Sequence, residues 1–442
     1  MATVTDVTTA HTSGLNHIDA LIDTGPAWNY VLPGNNNILK FSFSINSGKE
    51  DPTYALSAFS ASQQNATRSM LSYVSSVTGI QFQEVSDASV ADWRFSMRDI
   101  EESSVAGLCS WNTSYNYDGN QQITEYSAQA WIYLDNVEWN SANQNLIAGE
   151  AGYETLLHEI GHALGLKHPF QGGTRLPANQ DNTSNTLMSY TDSGGPYSTF
   201  RPYDVAALNW LYGGDGLAGK LGVGGNAVYL IGSASADTLS GSAGNDVFTG
   251  LAGNDAINGA AGLDLATYSL ARSNFTISKN GSVITVTDNT GALGVDTLNG
   301  VERLRFADKY VNFDTDGASG KVYRLYQAAF DRTPDAGGLG FWFHQMENNG
   351  STLTQIAQGF MGSAEFQAMY GSNPSAETVV GLLYNHVLHR QAEPDGYNFW
   401  VNVIKQGNPV ADVLAYFADS PENQAQVIGT IQNGMEFSVF SG

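Results

Sequence analysis

Apolar and polar positions alternate along Leu39 to Ile45, with Leu39, Phe41, Phe43 and Ile45 separated by Lys40, Ser42 and Ser44. That period of two predicts a strand. Ala91 to Phe95, with Trp93 and Phe95 on one face, predicts a second strand, and Ala130 to Leu134 a third. Two stretches follow the longer helical period. Ser60 to Val77 predicts a helix opened by a serine cap. Tyr153 to Leu166 predicts another, with an apolar stripe at Leu156, Leu157, Ile160, Ala163 and Leu164. This mixture predicts an α+β domain over residues 1–215.

The pattern changes over residues 216–320. Four nonapeptides stand in line, beginning at Gly232, Gly241, Gly250 and Gly259. Each carries Asp at its sixth position (Asp237, Asp246, Asp255, Asp264). An apolar residue stands at the eighth: Leu239, Phe248, Ile257 and, weakly, Ala266. A flexible glycine linker has no reason to keep the Asp and the apolar residue in phase.

Residues 321–442 carry a longer duplication. Phe330-x-Arg332 recurs as Leu388-x-Arg390, and Phe341-Trp342 as Phe399-Trp400. Phe360, Ser363 and Glu365 recur as Phe417, Ser420 and Glu422. Pro334-Asp335 matches Pro394-Asp395 at a different offset, which predicts a loop of changed length. Helical periods at Thr352 to Met361 and Ala411 to Ala418 make this a two-copy α-helical module. Its paired aromatics are expected to lie in the core.

Charge narrows the function. The 442 residues hold 19 Lys and Arg against 43 Asp and Glu, a net −24, and all three parts are acidic. No part offers the basic face that nucleic acid or an anionic membrane requires, whereas divalent cations suit such a chain. One cysteine, Cys109, rules out an internal disulfide. It is expected to be a packing or surface thiol, with a role near the cleft as the alternative. No apolar run of about 18 residues is present, so no membrane span is expected. The polar, Thr-rich start, with Lys40 the first basic residue, predicts no cleavable signal peptide.

The helix at Tyr153 carries His158, Glu159 and His162 and is followed by Gly165 and His168. Histidines four apart share a helix face and can offer two imidazoles to one zinc ion. Gly165 can take a left-handed conformation that ends the helix and turns His168 back, and Pro169 discourages the helix from resuming. Three protein ligands leave a position open, the mark of a catalytic zinc. Glu159, next to the first ligand, can take a proton from water there.

The stretch HEIGHALGLKHP, followed by Met188-Ser189-Tyr190, resembles the metzincin metalloproteases and more narrowly the serralysins. Asn16 to Leu21, Phe59 to Gln64 and Tyr203 to Ala207 are similar to serralysin stretches too. The resemblance covers nearly all of residues 15–315. It implies a metzincin catalytic domain with one zinc held by His158, His162 and His168, and Glu159 as general base. It implies a Met-turn at Met188. It implies Tyr190 as a further zinc ligand that swings away to stabilise the oxyanion. Phe170 stands where the family often has glycine. The Val105 to Tyr115 stretch is expected near the edge strand that binds substrate.

The nonapeptides resemble the glycine-rich calcium repeats of secreted bacterial proteins. That implies a parallel β-roll in which Asp237 and Asp255 face one row of calcium ions and Asp246 and Asp264 the other. Gly241, Gly244, Gly250, Gly253, Gly259 and Gly262 would shape the turns. The family's second-position glycine is missing in all four copies, and Ser235 replaces the fourth in the first, so the first half-site is expected to be weak. Asp296 to Asp308 resembles the segment that closes such rolls. Residues 406–442 hold no Lys or Arg, and Glu436 to Phe440 resembles the ending read by a type I exporter. The helical module resembles an uncharacterised repeat of exported and surface-linked bacterial proteins.

The expectation is therefore a secreted, monomeric zinc endopeptidase, free or held at the cell surface, acting on proteins, with structural calcium. The alternative is an attachment protein whose helical module is the working part. A zincin with a non-peptide substrate is a third reading. Glu159 discriminates between the first two, because a head kept only for shape needs no base beside a metal.

Overall fold

The computed structural model describes residues 2–31 and 37–440. The chain packs as two compact units, residues 1–262 with 292–299, and residues 263–291 with 300–442. No helix among the described residues is long and apolar enough to cross a membrane.

The first unit holds a five-stranded sheet in the order Gln81–Glu84, Ile38–Ser42, Trp93–Arg98, Ile123–Asp135, Gly107–Tyr117. The first four strands are parallel to their neighbours. Gly107–Tyr117 joins antiparallel and leaves its outer side as the sheet's edge. The first strand stops at Ser42 rather than Ile45, and the third is 13 residues long rather than five. Its extra half pairs with the edge strand and buries Ile123, Tyr126 and Ala128 between exposed polar residues, so cross-strand bonding and these inward side chains together extend it. Helix Ala61–Thr78 begins as expected. Ser60 Oγ accepts from Gln63 N, and Gln63 Oε1 accepts from Ser60 N at 2.7 Å. Trp28, Trp93, Leu39 and Phe95 fill the core between sheet and helices.

Within this unit the repeats stack. Strands Thr238–Ser240, Val247–Thr249 and Ala256–Asn258 occupy the last three positions of their nonapeptides. Leu239 pairs in parallel with Ile257, and Leu230 of an unforeseen preceding strand, Tyr229–Ile231, with Phe248. Each step is 18 residues, so alternate nonapeptides share a ladder. The eighth-position residues Leu239, Phe248 and Ile257 are buried, and in the second unit so is Ala266. Val295–Asn299 extends one ladder by pairing with Ala256–Asn258.

In the second unit Leu265–Thr267 pairs in parallel with Arg303–Arg305. Lys309–Asn312 and then Met435–Ser438 add antiparallel strands. The chain's ending is thus a folded strand, with Met435 and Phe437 buried. The helical part repeats itself. Helices Ala318–Phe330, Ala336–Glu347, Leu353–Met361 and Ala364–Tyr370 are followed by Ala376–His386, Pro394–Lys405, Val410–Ala418 and Pro421–Ile431. Arg332 grips Glu365 through Nε and Nη2 at 2.6 and 3.0 Å, and Arg390 grips Glu422 at the same two distances. Ser363 and Ser420 cap the following helices, and Phe360 and Phe417 are core.

Two expectations fail here. Asp335 and Glu393 each precede the second helix of their copy and each reach the fork arginine. The offset is therefore 58 from Phe330 through Trp342, so the loop before the second helix has kept its length, and it falls to 57 only from the third helix on. Pro394-Asp395 matched Pro334-Asp335 by coincidence, with Pro394 opening its helix. Nor are the paired aromatics all core. Trp342 and Trp400 pack on Phe360 and Phe417, but Phe399 is 59% exposed. Its counterpart Phe341 lies 5.3 Å from Phe440, so the chain's own end covers the first copy.

Candidate metal centre

Helix Ala151–Ala163 presents His158 and His162 one turn apart. It ends as the sequence predicts. Gly165 takes φ +94, its N–H donates to His162 O at 3.0 Å, and Leu166 N–H donates to Gly161 O at 3.0 Å. The reversed chain then pairs with the N-terminal segment. Asp23 N–H donates to Gly165 O, and Lys167 N–H donates to Leu21 O.

His168 arrives beside the other two histidines. Its Nε2 lies 3.2 Å from His158 Nε2 and 3.1 Å from His162 Nε2. His158 Nδ1 donates to Leu187 O at 2.7 Å and His162 Nδ1 to Leu166 O at 2.8 Å. A carbonyl only accepts, so both protons sit on Nδ1 and both Nε2 atoms present lone pairs. At most one N–H can lie among three converging nitrogens, a donor set that fits a divalent cation such as zinc. Burial, reinforced by the neighbouring imidazoles, pushes the His158 pKa well below its ordinary value; burial also lowers His162, and takes His168 to about 4. All three are neutral at pH 7, the form that binds metal.

Glu159 is buried under the edge strand. A Cβ on Gly107 would stand 2.7 Å from Thr155 Cγ2 and 2.9 Å from Glu159 Cγ, so glycine lets the strand lie this close to the helix. The Cys109 N–H donates to the Glu159 carboxylate. Burial raises Glu159 to about 8, and a cation beside it would pull that value back down. Cys109 itself is a half-buried thiol pushed well above its ordinary pKa, first by desolvation and then by Glu159 and Glu50. It lies in the wall behind Glu159 rather than free on the surface.

Met188 is fully buried beneath the helix. A Cβ on Gly161 would meet its Sδ at 2.8 Å, so Gly161 is required by this close approach. Tyr190, 70% exposed, sets its ring 4.6 Å from that of His168 and 6.1 Å from that of His158. Phe170 stacks flat on His168 at 5.1 Å and also touches Tyr190. Sequence reasoning missed Asp204. This buried carboxylate accepts from Thr186 Oγ1, Leu187 N and Arg201 N, and so fixes the turn whose carbonyl holds His158. Burial pushes it up to about 6.

The aspartates form a second cluster of buried charge. Asp246, Asp255 and Asp264 are almost fully buried, and Asp237 is half-buried. In each ladder the carboxylate accepts the backbone N–H one coil earlier. Val228 N–H goes to Asp246, Asp237 N–H to Asp255, and Asp255 N–H to Asp296. In the second unit Asp264 N–H goes to Glu302. Asp296 and Glu302 therefore continue the ladders, although neither belongs to a nonapeptide and no period marked them. Gly241 and Gly250 admit the Oδ2 of Asp246 and Asp255, where a Cβ would come within 2.4 and 2.3 Å. Gly244, Gly253 and Gly262 admit the backbone of the preceding coil. Gly259 donates its N–H to Asn299 O. Where second-position glycine is missing, Leu251 and Ala260 still take φ +70, a strained conformation for non-glycine. The first turn differs. Ser233 ties Asp237 through both N–H and hydroxyl, and Ser235 stands at the position of the close glycines.

Comparison with known proteins adds family information. Residues 231–266 match the model of the RTX calcium-binding nonapeptide repeat. Residues 305–370 and 357–427 match a domain of unknown function, DUF4214. The chain is 28% identical over 172 residues to Serralysin G of Dickeya chrysanthemi, covering 35% of this chain and 34% of that one. It is 27% identical over 196 residues to Serralysin of Photorhabdus laumondii, covering 40% and 38%. It is 33% identical over 108 residues to Metalloprotease AprA of Pseudomonas entomophila, covering 20% and 22%. The chain thus spans well under half the length of these curated relatives. Among solved structures, the extracellular lipase LipA from Serratia marcescens matches with TM-score 0.11 and 24% identity, covering 18% of this chain and 14% of that one, too slight for a shared fold. The chain carries RTX calcium-binding repeats and is a distant relative of serralysins.

Proposed function

We propose that the chain is a secreted, zinc-dependent endopeptidase of the serralysin kind. Its parts would be a metzincin domain at 1–215, a calcium roll at 216–320 and a duplicated helical module with an export signal at 321–442. The observation that carries this reading is the convergence of three imidazole nitrogens, at least two of them presenting lone pairs, beside a buried carboxylate, under a sheet edge. His158, His162 and His168 would hold the zinc, with Tyr190 as a further ligand. Bound there, zinc supplies a Lewis acid for a carbonyl and acidifies water. The chain's own residues do the rest. The outer side of Gly107–Tyr117 offers backbone groups to an extended peptide, which orients the scissile bond. Glu159 accepts the proton of the attacking water. Tyr190 can donate its hydroxyl to the developing oxyanion. The aspartate ladders would hold structural calcium, and a type I exporter would read the chain's end.

Incubation of the zinc-loaded protein with an unfolded protein substrate tests the reading. Endoproteolytic cuts that disappear in His162→Ala are expected, and intact substrate would overturn it. Tyr190→Phe should keep the fold and lower kcat by about tenfold or more with little change in KM. A hydroxyl that acts on the oxyanion stabilises the transition state and not the bound substrate. An unchanged kcat would remove Tyr190 from the chemistry.

A further inference from the structure

The loop that brings in the third histidine is tied by one ammonium group. Lys167 directly precedes His168 and is half-buried. Its Nζ donates to Ala20 O, to Gln171 O at 3.1 Å and to Thr174 O at 3.2 Å. Those carbonyls come from two places: the N-terminal segment, and the turn that runs from His168 to Leu176. The same turn is closed by Gln171 N–H to His168 O and Leu176 N–H to Pro169 O. The backbone N–H of Lys167 holds Leu21 O as well. Main chain and side chain of one residue therefore fasten the third histidine's segment to residues 20–21.

The chemistry is specific. An ammonium has three tetrahedral donors and no acceptor, and here all three donors meet carbonyls. Glutamine offers two donors and an acceptor that would face a carbonyl. Methionine keeps the stem and offers none. His158 and His162 are placed by a regular helix, and their Nδ1 protons are held by Leu187 and Leu166. His168 lies beyond the helix end and has no such support from secondary structure. Its position rests on Gly165, the short pairing with residues 21–23, the rings of Phe170 and Tyr190 against it, and this tripod.

We propose that Lys167 is a positioning residue for the third metal ligand: its ammonium tripod locks the turn that presents His168 to the ion. This rests on the zinc reading above. Support of this kind is typically worth about 10–100-fold in metal affinity.

The test is zinc affinity, read by competition with a chromogenic chelator, for the full-length wild type, Lys167→Met, Lys167→Gln, Lys167→Arg and His168→Ala. Cobalt(II) spectra of the same proteins report ligand geometry. Lys167→Met should bind zinc about 10–100-fold more weakly and show an altered cobalt spectrum. Its far-ultraviolet dichroism should be that of the wild type. Lys167→Arg, which keeps donors at the tip, should recover part of the affinity. Wild-type affinity and spectrum in Lys167→Met would overturn the proposal while leaving the zinc site standing. If Lys167→Met misfolds, Lys167→Gln decides: a well-folded Gln variant that binds zinc more weakly than wild type supports the tripod, and one with wild-type affinity and cobalt spectrum overturns it. Failure of the wild type itself to bind zinc would overturn both the tripod and the zinc reading.

Discussion

Glu159→Gln should retain zinc and lose peptidase activity by about two to four orders of magnitude, which is about 3–5 kcal/mol of barrier. The carboxylate is buried beneath Gly107–Tyr117 and receives the Cys109 N–H. Glutamine fills the same space and can keep that hydrogen bond through its carbonyl oxygen. It cannot accept a proton. The loss should therefore fall on kcat, with zinc content by atomic absorption and melting temperature close to wild type. A zinc-loaded Gln variant that turns over near normally would sink the general-base role. It would leave the three histidines as a site without the proposed reaction.

The second large effect concerns calcium. Asp255 is buried between Asp237 and Asp296, and burial together with those neighbours raises its pKa to about 7. The sign follows from linkage. A carboxyl whose folded value lies above its unfolded value of about 3.9 destabilises the fold when charged. In a calcium chelator the roll should thus gain stability as pH falls through about 7, with the gain complete below about 4. Calcium reverses the logic, because a hard cation binds the charged form and couples its binding to folding. Asp255→Asn should therefore melt a few degrees above wild type in chelator at pH 8. That advantage should shrink by pH 5, and the variant should melt below wild type in excess calcium. Asp246→Ala with Asp255→Ala should blunt the calcium response further, since it takes one carboxylate from each ladder. Calorimetry with and without calcium decides. Melting curves that ignore calcium in both proteins would mean that the buried aspartates hold no cation.

Some of this was written in local sequence and some was not. Short-range patterns fix what depends on a few consecutive residues. The 3.6-residue stripe and Gly165 set the helix and its end, because a left-handed residue there costs glycine little. The phase of Asp and apolar residue set the strand triplets, because a period of 18 stacks like on like. The arginines and glutamates of the two forks recur in the sequence, and the structure pairs them the same way in both copies, since duplicated sequence repeats duplicated contacts.

What the sequence could not determine arises where distant segments meet. Gly107 and Gly161 look like any glycine until a strand crosses Glu159 and Met188 comes up beneath the helix. Asp204 and Lys167 stand inside serralysin-like stretches that give neither a role, and their contacts arise because folding brings Leu187, Ala20 and Thr174 within hydrogen-bond reach. Asp296 and Glu302 join the carboxylate ladders from outside the repeat, through strand pairings that no period announces. Phe399 and Phe341 share one local pattern, yet the chain's own end lies on only one of them. Propensity and periodicity act over a turn or a strand, whereas burial and hydrogen-bond partnership are properties of the whole packed chain. The sequence alone named the three converging histidines and the repeat. Only the tertiary structure decided what holds them in place.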